Sequence, residues 1–62
     1  MSPQDAVNKL VAAGWTEQRI AVEAGASQPT INRIKNGGQR ASFDVGQRLI
    51  AMAAKAPADA AA

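Results

Sequence analysis

Cysteine, histidine and tyrosine are absent from this 62-residue chain, and phenylalanine and tryptophan occur once each. Without cysteine there is no disulfide to staple a small fold and no thiolate to hold a metal. Without histidine, the commonest general base and the commonest neutral metal ligand are both missing. Acidic residues are few and scattered: Asp5, Glu17, Glu23, Asp44 and Asp59. Most fall at expected helix starts, where the helix dipole accounts for them. They form no catalytic pair, and an enzyme is not expected. Gly37-Gly38 lacks the lysine pattern of a phosphate-binding loop and reads as a helix stop. No apolar run approaches the roughly 20 residues of a membrane span. No basic start leads into an apolar stretch, as a signal peptide requires. The expectation is a cytoplasmic protein with no metal, no cofactor, no membrane contact and no small-molecule substrate.

What is present fits one small domain. A core of this size supplies only about 3–5 kcal/mol. Alanine accounts for 15 residues, so the side chains able to build a core are few. They are Val7, Leu10, Val11, Trp15, Ile20, Val22, Ile31, Ile34, Phe43, Val45, Leu49, Ile50 and Met52. Net charge is +2, and it is unevenly spread. Between Ala24 and Phe43 lie Arg33, Lys35 and Arg40 and no acidic residue. A local basic stretch is the footprint of a nucleic-acid binder, and the plain alternative is a solvated basic surface.

Periodicity and caps predict an all-α chain of four helices. Ser2 caps the first, Pro3 suits its first position, and Ala6, Val7, Leu10 and Val11 recur at helical spacing up to a stop at Gly14. Thr16 caps a second helix over 17–24, with Ile20, Ala21 and Ala24 inward and Gly25 ending it at positive φ. Trp15, just before that cap, reads as a core or staple residue. Ser27 caps a third helix over 28–36, ended by Gly37. Ser42 caps a fourth from Phe43 to about Lys55. The domain is therefore 1–55, followed by an alanine-rich tail at 56–62 that is either frayed or one further short helical turn begun by Pro57. No alternating β-branched run predicts a strand.

A helix turns about 100° per residue. In the third helix, Ile31 and Ile34 fix the buried side. Opposite lie Pro29 and Asn36, flanked by Arg33 on one side and by Gln28, Asn32 and Lys35 on the other. This stripe is rich in amides and free of acids. Asn and Gln can pair with adenine, and Arg with guanine, through the major groove. An ordinary solvated helix face would mix Glu and Lys in i,i+4 pairs. Two short helices joined by Gly-Ala-Ser must cross at a wide angle, with Ala21, Ala24 and Ala26 permitting the close approach.

Thr16-Glu17-Gln18-Arg19-Ile20-Ala21, followed by Gly25-Ala26-Ser27-Gln28-Pro29-Thr30-Ile31-Asn32-Arg33-Ile34-Lys35-Asn36-Gly37, resembles the helix-turn-helix of the lambda repressor and Cro (XRE) family. The resemblance covers about residues 16 to 50, with Ala21, Gly25, Ile31 and Asn36-Gly37 in register together. It implies a small phage-type transcriptional regulator with a lambda-repressor-like fold that binds double-stranded operator DNA. It implies base reading by Gln28, Pro29, Asn32 and Arg33. It implies backbone or phosphate contacts from Gln18, Arg19, Ser27, Thr30, Lys35, Asn36, Arg40 and the amides of Ser42 and Phe43. The family's glutamine at the start of the second helix is Glu17 here, and a carboxylate repels phosphate. Either Gln18 takes over that contact, or Arg19 dominates it, or it is lost.

The fourth helix carries two apolar stripes: Phe43, Gly46, Ile50 and Ala53, and Val45, Leu49, Met52 and Ala56. One wide core face explains both. Alternatively, Val45, Leu49 and Met52 meet a second subunit, since dimers of this fold read two half-sites about one helical turn apart. The reading from another class is a protein-interaction module, of antitoxin or antirepressor type, on the same fold.

Overall fold

Four hydroxyls start the helices. Ser2 Oγ accepts from Asp5 N at 3.1 Å, Thr16 Oγ1 from Arg19 N at 3.1 Å, Ser27 Oγ from Thr30 N at 3.3 Å and Ser42 Oγ from Val45 N at 3.4 Å. Each satisfies an amide that the helix cannot, a contribution of about 1 kcal/mol apiece. In this computed structural model, which describes residues 1–55, the resulting elements are α1 (Pro3–Ala12), α2 (Glu17–Ala24), α3 (Gln28–Asn36) and α4 (Phe43–Lys55). Among the described residues there is no strand. The tail at 56–62, with its expected frayed end or extra turn, lies outside the described residues.

Pro3 and Pro29 both sit in first turns, where no intrahelical partner awaits their missing N–H. The ends of α2 and α3 share one device. Gly25 and Gly37 take φ of 75° and 82°, and the next residue's N–H reaches back, Ala26 to Ala21 O at 2.9 Å and Gly38 to Arg33 O at 2.9 Å. This closes the orphan carbonyls of each helix end. At Gly25 a Cβ would also lie 2.6 Å from Arg48 Nη1 of α4. Gly25→Ala should therefore cost about 1–2 kcal/mol from the left-handed backbone, with the Arg48 head displaced. A urea titration reads this directly, and Gly25→Asn, which tolerates that conformation better, should lose less.

The core is small and drawn from every helix. Ala6, Val7 and Leu10 of α1 meet Trp15, then Ile20, Ala21 and Ala24 of α2, Ile31 and Ile34 of α3, and Leu49 and Ala53 of α4. Helix α1 packs on α3 and α4, and α2 packs on the same two. Helix α1 comes close to α4 at Gly46, where a Cβ would stand 3.1 Å from Pro3 Cγ. That approach orients α4, turning Gly46, Leu49 and Ala53 inward.

Two residues expected in the core are outside it. Val22 is 73% exposed and Phe43 is 77% exposed. Val22 lies about 200° around α2 from both Ile20 and Ala24, which face in. Phe43 opens α4, and helical side chains tilt toward the N-terminus, so its ring projects past the end of the packed region.

Candidate nucleic-acid interface

Helix α3 is seated by its apolar side, with Ile31 and Ile34 buried. Its far end is tied to α1: Gln4 Nε2 donates to Lys35 O at 3.2 Å, and Asn8 Nδ2 donates to the same carbonyl at 3.5 Å and to Gln4 O at 3.1 Å. Its start is fixed by Ser27, whose Oγ also donates to Thr30 Oγ1 at 2.8 Å. The helix is thus held at both ends and along one side, and the rest of its surface is polar.

That polar surface divides in two. One stripe, Gln28, Asn32 and Lys35, faces α2 and converges on the Glu17 carboxylate. Gln28 Nε2 donates to Oε1 at 2.6 Å, Asn32 Nδ2 donates to Oε1 and Oε2 at 3.3 and 3.2 Å, and Lys35 Nζ stands 2.9 Å from Oε2. Residues four and three apart fall on one helix face, so a single acceptor on the facing helix can serve all three. Asn36 extends the network, donating from Nδ2 to Asn32 Oδ1 at 3.3 Å. The other stripe, Pro29, Arg33 and Asn36, is exposed. Among the described residues the Arg33 guanidinium has no hydrogen bond or ion pair.

The Lys35 ammonium beside it, with the Asn32 and Gln28 amides, holds the Glu17 carboxyl below its ordinary value of 4.5; partial burial opposes them but does not prevail. A carboxylate whose pKa is depressed by folding adds stability that is complete above its unfolded value and is lost as pH falls through the folded one. The clamp should therefore hold at neutral pH and open on acidification below 4.5. Carbon-detected NMR titration of the Glu17 carboxyl should find the depressed midpoint, and Lys35→Met should raise it. An unchanged midpoint in Lys35→Met would mean the pair is not formed in solution.

The remaining expected contact residues surround this helix. Gln18 is exposed on α2, beside the shallow cleft that Glu17, Ala21, Val22, Ala26 and Gln28 line with it. Arg19 stacks its guanidinium 4.3 Å from the centre of the Trp15 ring. Arg40 is exposed in the loop between α3 and α4, next to a second cleft bounded by Ser2, Pro3, Gln4 and Gly37. Ser42 caps α4, and Asp44 places a carboxylate in that helix's first turn, where it opposes an incoming phosphate.

The stripe of Val45, Leu49 and Met52 is not a free face for a second subunit. Leu49 is fully buried, and Val45 and Met52 are half-buried against the core. The inward row of α4 runs through Leu49 itself, so between Val45 and Ala53 the two apolar stripes form one wide core face, which leaves out the exposed Phe43; Ala56 lies outside the described residues. Glu17 as the organiser of α3, Gln4 and Asn8 as ties on its last turn, and Arg48 over Gly25 are all absent from the sequence-based reading. For Glu17 a signal existed: it is an acid in the first turn of the helix that precedes an acid-free one.

Among the described residues, no group of three or more acidic side chains could hold a metal ion. Nor is any helix of those residues long and apolar enough to cross a membrane. In comparisons with protein-family models, curated proteins and solved structures, the chain has no match.

Proposed function

We propose that this chain is a sequence-specific double-stranded DNA-binding regulator, of the repressor type found in phages and mobile elements, in which α2 and α3 act as a helix-turn-helix. The observation that carries the reading is the open stripe of α3: Pro29, Arg33 and Asn36 are exposed and bear no acid, on a helix anchored at both ends. The major groove, about 12 Å wide, admits one such helix. Arg33 supplies the planar fork that matches guanine, and Pro29 supplies an apolar contact for a thymine methyl group. Affinity comes from phosphates met by Arg40, Arg19 and backbone amides. The regulator works on DNA as a homodimer with half-sites about one helical turn apart. No catalytic step is assigned to it.

The test is fluorescence anisotropy on a labelled duplex across a salt series. Binding should weaken with log–log slope of about −0.9 for each phosphate neutralised. No binding at low salt, or binding indifferent to salt, would contradict the reading. The exposed Phe43 ring favours a second reading, an antitoxin- or antirepressor-type module that binds a protein. Preference for one DNA site in the presence of competitor DNA separates the two.

A further inference from the structure

A carboxylate accepts hydrogen bonds and donates none. Each group around Glu17 must therefore turn a donor toward it, which fixes the amide orientation of Gln28 and Asn32. Gln28 spends an amide hydrogen at 2.6 Å. Asn32 is engaged at both ends, through Nδ2 on Glu17 and through Oδ1 on Asn36 Nδ2. The charge of Lys35 is cancelled at 2.9 Å, with both side chains mostly shielded from water. An amide reads adenine with one donor and one acceptor presented together, and a lysine binds phosphate with an uncompensated charge. In this arrangement the Lys35 charge is not available to a phosphate, and Asn32 and Gln28 can read a base only with the donors and lone pairs that the clamp leaves over. Pro29 and Arg33, four residues apart on the open stripe, carry no such restriction.

Resting on the DNA-binding reading, we propose that Glu17 sets the specificity of α3: its carboxylate withdraws Lys35 from recognition, ties down Asn32 and Gln28, and leaves Arg33 and Pro29 as the unrestricted side chains that select the site. Four residues of helix rise about 6 Å. Base pairs stack about 3.4 Å apart, so with α3 lying along the groove the two side chains stand about two base steps apart. The ligand is then a duplex bearing a guanine and a thymine separated by one intervening base pair. Glu17 acts through its neighbours and is a positioning residue.

The test is a two-by-two set of wild type, Glu17→Gln, Lys35→Met and the double variant, checked for folding by circular dichroism. Each is titrated with a random-sequence duplex across salt, and the first two are also used to select sites from a random pool. Glu17→Gln should steepen the salt slope by about one unit, because Lys35 is released to a phosphate. Lys35→Met should leave the wild-type slope unchanged and remove the extra unit from Glu17→Gln. Wild-type sites should carry the guanine–thymine pair at the stated spacing, and Glu17→Gln sites should gain a requirement at a further position. If Glu17→Gln does not fold, a wild-type slope unmoved by Lys35→Met still supports the inference. A slope that falls by a unit in Lys35→Met alone overturns it, as do Glu17→Gln sites identical to those of the wild type. In both cases wild-type binding to DNA stands. Wild type that binds no duplex at any salt overturns the DNA-binding reading itself and this inference with it.

Discussion

Leu49→Ala is expected to leave most of the protein unfolded at room temperature. Leu49 is completely buried, on the helix that packs against both α1 and α2. Truncating a buried leucine to alanine costs about 2–5 kcal/mol, from lost transfer energy and from the cavity left behind. A core of this size supplies only about 3–5 kcal/mol in total. No disulfide offsets the loss, since the chain has no cysteine. The damage also spreads to α3, because α4 supports α1, and α1 holds the last turn of α3 through Gln4 and Asn8. Urea titration followed by Trp15 fluorescence and far-ultraviolet circular dichroism measures the effect. An unchanged midpoint with weakened self-association would mean that Leu49 is an interface residue after all, and that the core assigned to α4 is wrong.

Arg33→Ala is expected to do the opposite: to leave folding intact and damage recognition. Arg33 is exposed and supports nothing in the core, so its loss should shift the urea midpoint little. On the preferred duplex it should cost about 1–3 kcal/mol of binding, the worth of one bidentate arginine–guanine contact. On random-sequence DNA the loss should be much smaller, so the ratio between the two falls. Arg33→Lys is a sharper probe. It keeps the charge and loses the planar fork, so non-specific binding should persist while the guanine preference relaxes. A uniform loss on all duplexes for Arg33→Ala, with full rescue by Arg33→Lys, would show that residue 33 meets only phosphate.

The four helices were legible because their ends are written in local chemistry. Ser2, Thr16, Ser27 and Ser42 each cap through a bond to a residue three positions on, and Gly25 and Gly37 stop α2 and α3 within the same short range. The division of α3 into buried and polar sides followed from two isoleucines and the helical repeat. What stayed hidden depends on distance along the chain. Glu17 meets Gln28, Asn32 and Lys35 across a turn, and Gln4 reaches a carbonyl 31 residues away. Periodicity alone could not say whether both stripes of α4 face in, because that depends on the elements packed against it, with Pro3 of α1 close to Gly46. Phe43 and Val22 misled for a related reason: hydrophobic identity suggests burial, but position on the helix decides it.

The clamp also changes how the basic stretch reads. Counted along the sequence, Arg33, Lys35 and Arg40 make an acid-free positive run. In three dimensions Glu17 reaches into it and neutralises Lys35, so the field over α3 is carried by Arg33 and Arg40. On the proposed DNA-binding reading, fewer uncompensated charges would mean a shallower salt dependence and a larger share of the binding energy resting on base contacts. The residue type that seemed out of place at the start of α2 thus bears directly on how selective α3 can be.

Selection of bound duplexes from a random-sequence pool at physiological salt tests most directly whether α3 reads DNA sequence. The account predicts one enriched motif, containing a guanine that Arg33→Ala no longer requires, repeated with two-fold symmetry about one helical turn apart. A pool that returns no enriched motif, or the same motif for Arg33→Ala as for the wild type, would contradict it.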